Sequence, residues 1–540
     1  MRRNALFILI DSLRNDVVSD LESTRFMVPN LARIAERGFS TRVVANAQAT
    51  QFVMPSLFSL TYPLDHGGYN NGIRERPASF VECFSKAGYT TNLVGACNAM
   101  GISLSYDRDF DTVHTAVDYR NILTYRIEKT LAYELSLIDS GEKTESEALA
   151  VIATELGLIL DAIPRYVEES DTTSWPARLL HLNLRVAQFC KQERLLLKTS
   201  PEIVLRKLRS LPPALYWRCL GKPVIGPMER FCWRVIESVS WRFRRVAVKY
   251  GFPIFPLGHF QVLAKDLCPG ICELLTKVRR PWFMYIHFMD AHDSASLSRP
   301  LHLLLRLKYL PRWLRARRNG WTNRTFLYDS ALMFTDEQVG SLITTLEQTG
   351  QLEETIVLVT GDHGNASAGS PRRGKKALGH RTHFEDIDVG LVVSHGSERP
   401  RGAGLLDTMG VTATLLELLN VKPHCSFKGR SAFGPGRWAV VSENAGRGNA
   451  DIERRDLFFT ITSRDHKLMV TLVGSEIGVN ELYDLNVDPL ELNNRIEDPA
   501  MCGAIDDLLA TLFAERGDLL ASRGVAAPTM PCIPKIHAAR

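Results

Sequence analysis

The chain has 540 residues, 45% hydrophobic and 23% charged, with 65 Lys and Arg against 60 Asp and Glu. That length exceeds what one ordinary core fills, and that composition excludes a disordered or fibrous protein. The formal charge of +5 excludes little, because it averages over segments of opposite sign.

No run approaches the roughly 18 apolar residues of a spanning helix. The start Met1-Arg2-Arg3-Asn4 has the basic flavour of a secretory leader, yet the apolar run from Ala5 stops at Asp11. That is shorter than a leader core of about 7–15 residues. Ten cysteines without a CxxC pair fit reduced thiols better than a disulfide framework or a zinc knuckle. The expectation is a cytoplasmic protein with neither signal peptide nor transmembrane helix.

In chain order, the first element is a buried strand, Ala5–Ile10, that runs into the polar turn Asp11–Asp16. The same apolar grammar returns at Thr90–Cys97, Trp282–His287, Thr355–Thr360 and Val389–Val393, and each run reads as a central parallel strand. Amphipathic helical stretches lie between them, among them Val28–Arg37, Ser79–Lys86 and Thr335–Gln348. This alternation predicts an α/β fold, a central, mostly parallel sheet sandwiched by helices. Active groups of such sheets collect past the carboxyl ends of strands. Asp11, Asn98, His287 to Asp293, Asp362, His363 and His395 occupy those positions.

From about 117 to 254 the periodicity turns helical and strand-like runs become rare. Pro176 to Tyr250 holds 16 Lys and Arg against 4 Asp and Glu, a local charge of +12. Trp217, Trp233, Trp241 and Phe243 alternate there with Arg218, Arg234, Arg242, Arg244 and Arg245. Arg299 to Arg324 adds 8 basic residues and no acid, so the rest of the chain carries −15. Beyond about 436 come short strands, Trp438–Ser442, Leu457–Ile461 and His466–Leu472, then a polar helix. The expected organisation is a catalytic domain of 1–116 and 255–435, a basic helical insertion at 117–254, and a small α+β subdomain at 436–540.

Gly361-Asp-His-Gly-Asn365 sets a carboxylate beside an imidazole at a strand end, with glycines that let the backbone turn sharply. That is a cation-binding hook. Asp11 also follows a central strand, so the two carboxylates converge at one end of the sheet. Pro55 is placed to open a helix, Pro55–Leu60, whose N-terminal amides face an anionic ester.

These pieces, with Thr50-Gln-Phe-Val-Met-Pro-Ser56, His287-Phe-Met-Asp-Ala-His292, Gly379-His-Arg-Thr-His-Phe-Glu385 and Glu481-Leu-Tyr-Asp-Leu485, resemble the sulfatase and alkaline-phosphatase superfamily from Leu6 to about Asn494. The resemblance implies that Asp11, Asp362 and His363 bind a catalytic divalent metal and that the nucleophile precedes Pro55. True sulfatases carry a Cys or Ser, converted to formylglycine, two residues before that proline. Here the position is Val53, and Leu57 stands for their arginine. The phosphoethanolamine and phosphoglycerol transferase branch carries a threonine five residues before the proline, which is Thr50 here, also a metal ligand; Ser56 is a weaker alternative nucleophile. By the same resemblance His287, His292 and His380 surround the leaving oxygen or a second metal. His383, Arg14 and Asn98 are the substrate-binding candidates.

The ligand types suit Zn or Mn better than Ca, as one or two ions. The implied activity is a metal-dependent hydrolase or transferase of phosphate or sulfate esters with a covalent Thr50 intermediate. The alternatives are a sulfuric ester hydrolase and a catalytically silent binding protein that docks through its basic insertion. The expected partners are an anionic ester and, peripherally, an anionic membrane met by 176–250 and 299–324; no motif points to nucleic acid.

Overall fold

The structure, a computed structural model, describes residues 2–95, 104–117, 119–120, 123, 127, 131–169, 177–211, 216–222, 226–250, 262–292, 307–315, 324–370, 382–394, 400, 404–446, 452–453 and 455–525. The apolar runs become the strands β1 (Asn4–Ile10), β2 (Phe39–Val44), β3 (Thr90–Gly95), β4 (Thr112–Thr115), β5 (Trp282–Phe288), β6 (Thr355–Thr360), β7 (Asp388–Ser394) and β8 (Leu406–Asp407). They form one sheet in the order β4-β3-β5-β1-β6-β7-β2-β8. Every residue of β1, β5 and β6 is buried, which is why these segments read as unbroken hydrophobic runs rather than alternating ones. Helices flank the sheet in two groups: Pro29–Glu36, Ala264–Lys277 and Phe326–Gln348 pack together, and Thr50–Ser59 packs with Phe80–Lys86 and Thr408–Leu418.

The parallel register sets the chemistry. Leu9 of β1 lies opposite His287 of β5 on one side and Thr360 of β6 on the other. The residues just past these three strands therefore emerge at one edge of the sheet. β7 departs from expectation, because it runs antiparallel to both β6 and β2. Its carboxyl end, Ser394, pairs with Val357 near the start of β6, away from that edge. His395 lies outside the described residues.

The helix foreseen from Thr335 begins nine residues earlier, at Phe326, with Thr325 as its cap. Buried Asp329 and Asp336 interrupt its apolar pattern, and both are satisfied across the fold. Asp329 accepts from Trp313 Nε1 and Arg324 Nε, each at 2.9 Å. Asp336 caps another helix, accepting the backbone N–H of Asn30 and Leu31 at 3.1 and 2.8 Å and the Asn30 side chain at 2.9 Å. Asp336→Ala is expected to cost about 1–3 kcal/mol, since it orphans two first-turn amides at a buried helix crossing. A fall in the urea midpoint at unchanged slope checks this.

Beyond the main sheet, β9 (Val440–Asn444), β10 (Leu457–Thr462), β11 (His466–Val473) and β12 (Glu476–Asp484) form a second sheet in the order β12-β11-β10-β9. The helix Cys502–Ser522 packs on it. β12, not singled out as a strand, follows β11 through the tight turn at Gly474 (φ +59°). The buried carboxylate of Glu443 in β9 ties the second sheet to the loop after the Thr50–Ser59 helix and to the C-terminal helix, accepting Leu64 N–H at 2.8 Å and Arg516 Nε at 2.6 Å, while Arg516 Nη1 also reaches Asp65.

The stretch read as helical contains Ala132–Asp139, Glu145–Glu169, Ala177–Thr199, Pro201–Ser210 and Pro227–Tyr250. It has its own buried polar centre: Glu193 takes hydrogen bonds from Lys207 Nζ, Tyr216 Oη and Gly221 N–H. Among the described residues, no helix is long and apolar enough to cross a membrane.

Candidate active site

Three strand ends and one helix start converge. Immediately after β1, Ser12 adopts a left-handed backbone (φ +67°), a conformation that costs energy in a residue with a side chain. The turn places both donors of Ser12 on carboxylates: its N–H donates to Asp362 Oδ1 at 3.1 Å and its Oγ to Asp11 Oδ1 at 3.0 Å. Asp11 N–H is tied back to Phe288 O of β5 at 2.9 Å. The loop after β6 passes so close to its neighbours that side chains are excluded. A Cβ on Gly361 would meet Leu13 O at 2.6 Å, and one on Gly364 would meet Glu385 O at 2.1 Å.

Thr50 is the first residue of the buried helix Thr50–Ser59. Its Oγ1 donates to Asp11 Oδ2 at 2.9 Å and lies 3.1 Å from His363 Nε2. His363 Nδ1 is 2.6 Å from Gly364 O. A carbonyl only accepts, so Nδ1 carries the proton, and in the neutral ring the Nε2 lone pair faces Thr50. On the other side His287 Nε2 approaches Asp11 Oδ2 at 3.3 Å, while its Nδ1 meets Tyr285 Oη at 3.3 Å. His292 is exposed, with its ring 5.9 Å from that of His363.

Burial pushes the Asp11 carboxyl up, but the charges of His292 and His363 and the His287 hydrogen bond hold it well below the usual carboxylate range. Burial pushes His363 down, and Asp362 and Asp11 more than offset it, so its pKa is raised. Both carboxylates are fully buried. Asp362 Oδ2 accepts no hydrogen bond among the described residues and has only His363 Nε2 at 3.5 Å. A buried, under-satisfied carboxylate beside a second one is costly without a cation. Two overlapping sets have ligand atoms within 4.8 Å of one another, Asp11 with His292 and His363, and Asp11 with His287 and Asp362. These donors fit a divalent metal.

The structure thus brings together Asp11, Thr50, His287, His292, Asp362 and His363. Other expectations are corrected. Pro55 does not open the helix but sits inside it, since burial of every residue from Gln51 to Ser59 holds the preceding turn in place. Ser56 is buried with its Oγ on Thr61 O at 2.9 Å, and Val53 is buried in the same helix. Arg14 braces the loops instead of reaching for an anion: Nε and Nη2 grip Asp16 at 3.2 and 2.8 Å, and Nη1 donates to Gly369 O at 2.8 Å. His383 points to the second sheet, with Nε2 3.3 Å from Glu481 Oε2 of β12. Asn98, His380 and Asp293 lie outside the described residues.

Sequence reasoning passed over Ser12 and Tyr285, and it included Asp290 in the run His287 to Asp293 without giving it a role. Ser12 directly follows Asp11, and Tyr285 lies two residues before His287 on the same face of β5, so their proximity was available. Asp290 braces the turn between the two histidines by accepting Ala264 N–H at 3.0 Å, and burial pushes its carboxyl up to about 7. An unfolded aspartate ionises near 4, so the folded protein holds this proton more tightly. The resulting stability is complete below about pH 4 and declines as pH rises to about 7, by up to about 4 kcal/mol. Asp290→Asn is expected to flatten that part of the pH dependence of the urea midpoint.

A family model described as Sulfatase matches residues 3–174 and 233–421. The chain belongs to the sulfatase family. The match leaves 175–232 uncovered, within the basic helical stretch. This sulfatase-family chain is 27% identical over 201 residues to the choline-sulfatase of Rhizobium meliloti (strain 1021), which is 35% of this chain and 36% of that protein. The similarity therefore spans about a third of that relative's length. A 2-O GAG sulfatase superposes over 98% of this chain and 96% of its own at a TM-score of 0.56 and 15% identity. The phosphonate monoester hydrolase of Agrobacterium radiobacter does so over 96% of each chain at a TM-score of 0.54 and 15% identity. At such identities these likenesses show the sulfatase and alkaline-phosphatase fold.

Proposed function

We propose that the protein is a divalent-metal-dependent hydrolase or group transferase of anionic sulfate, phosphate or phosphonate esters that works through a covalent ester on Thr50. The observation that carries this reading is the position of Thr50 Oγ1, 2.9 Å from Asp11 Oδ2 and 3.1 Å from His363 Nε2, at the start of a buried helix. A divalent ion held by Asp11, Asp362 and His363, with His287, would supply the positive charge that lets a threonine hydroxyl ionise and draws electrons from the ester.

Asp11 is the hydrogen-bond partner through which the Thr50 proton leaves. Thr50 Oγ then bonds to the sulfur or phosphorus as the ester oxygen departs. The exposed imidazole of His292 gives that oxygen a proton. Water or an acceptor alcohol next attacks the sulfur or phosphorus, its proton recharging His292, while the proton left with Asp11 returns to Thr50 Oγ as that bond breaks and the hydroxyl is restored. The N-terminus of the Thr50–Ser59 helix adds partial positive charge where the anion sits. His287, enclosed between Asp11 and Tyr285, orients Asp11 or completes the ligand set. The donor set favours Zn or Mn over Ca.

The choline-sulfatase and the phosphonate monoester hydrolase support sulfate and phosphonate esters alike. The deciding experiment supplies the full chain with Zn or Mn and offers sulfate esters, phosphate mono- and diesters and phosphonate monoesters. Turnover of one class is expected, with a sulfuryl or phosphoryl group on the Thr50 peptide after acid quench. No turnover of any class by metal-loaded protein would leave the silent scaffold as the better reading.

A further inference from the structure

The helix Pro227–Tyr250 is amphipathic the wrong way round for a soluble protein. Met228, Phe231, Val235 and Val239 recur at the spacing of one helix face, and they are 73%, 63%, 45% and 46% exposed, with Ile236 beside them at 46%. The side turned to the body carries Trp233, stacked under the Arg218 guanidinium at 4.0 Å, which also covers Trp217 at 4.5 Å. Among the described residues this helix makes no extensive contact with any other helix or strand. Helices in water owe most of their stability to packing of their apolar face, so an outward-facing stripe of this length calls for a surface to cover it.

Charge selects the kind of surface. The helix carries Arg230, Arg234, Arg242, Arg244, Arg245 and Lys249 against Glu229 and Glu237, and it closes a segment of net charge +12. A second copy docked face to face would set like charges against each other, and a nucleic acid has no use for the apolar stripe. An anionic bilayer takes both features, with apolar side chains below the headgroups and cations among them.

We propose that Pro227–Tyr250 lies in the plane of an anionic lipid surface with Met228, Phe231, Val235 and Val239 inserted. The described part of the other basic stretch, 307–315, packs on the body instead. Residues 301–306 and 316–323 lie outside the described residues, and the helix between them is docked on the body. Tyr309 is buried, Lys308 and Arg312 pair with Glu337, and Trp313 donates to Asp329. Two of its three cations are engaged by Glu337 and the third, Arg315, lies over the Phe26 ring, whereas the stripe at 228–239 meets solvent.

The test is co-sedimentation of the full chain with vesicles of phosphatidylcholine, with and without added phosphatidylglycerol. Binding is expected to the anionic vesicles alone and to weaken with salt. Phe231→Asp with Val235→Asp should lower partitioning by about tenfold or more, and Arg234→Glu with Arg242→Glu should lower it independently. Thr50→Ala should bind as wild type does, which separates this result from the fate of the catalytic reading. Failure of the wild type to bind anionic vesicles at low salt, or unchanged binding by both double variants, would overturn the proposal. So would light scattering that showed a lipid-free dimer dissolved by the Phe231 and Val235 changes, which would assign the stripe to a second copy.

Discussion

Thr50→Ala is expected to lower kcat by roughly a thousandfold or more, the scale seen when a covalent nucleophile is removed, with little change in melting temperature. The small thermal effect follows from the side chain's position. Thr50 is only partly buried, follows the cap residue Ala49, and begins a helix whose remaining residues are buried. Alanine there removes the hydroxyl without opening a deep cavity. Thr50→Ser keeps the oxygen at the same reach from Asp11 and His363, and turnover should survive, lowered chiefly by the freer rotamer of a side chain without the β-methyl. Undiminished turnover in Thr50→Ala would sink the nucleophile assignment.

The second large effect concerns Asp362. The wild type should gain stability with added Zn or Mn, about 3 kcal/mol when free metal is a hundredfold above Kd, and lose both that gain and its activity to a chelator. Asp362→Asn should abolish the metal-dependent rise in melting temperature together with turnover. The metal-free variant should be no less stable than metal-free wild type, because the change removes a buried charge whose Oδ2 has no hydrogen-bond donor among the described residues. A purely structural carboxylate would show the reverse, with the variant weaker under all conditions. Equal metal-induced stabilisation of both proteins would exclude Asp362 as a ligand.

Much of the central sheet is legible in the sequence because its strands are buried on both faces. Such burial leaves no polar alternation, so β1, β5 and β6 stand out as apolar runs ending in Asp11, His287 and Asp362. The sense of β7 was not legible, since a buried antiparallel strand and a buried parallel one have the same composition; only pairing with β6 distinguishes them. The true start of the Phe326–Gln348 helix was hidden for a related reason. Asp329 and Asp336 look like exposed positions until Arg324, Trp313, Asn30 and Leu31 are brought to them.

The candidate site divides in the same way. Asp11, Asp362 and His363 announce themselves by residue type and by position after strands, whereas Thr50 is singled out only by the family resemblance, five residues before Pro55. Arg14 and His383 looked equally suitable, yet neighbours that no local pattern specifies, Asp16 and Glu481, draw them elsewhere. The opening charge of +5 shows the same limit. The sequence alone determined that positive charge gathers in 176–250 and 299–324 and negative charge in the remainder, because summation along the chain needs no coordinates. Only the tertiary structure decided which apolar and basic residues face outward: the helix at 307–315 meets Glu337 and Asp329 on the body, while Pro227–Tyr250 turns Met228, Phe231, Val235 and Val239 to solvent. Periodicity defines the two faces of a helix, but the surfaces packed around it determine which face is covered.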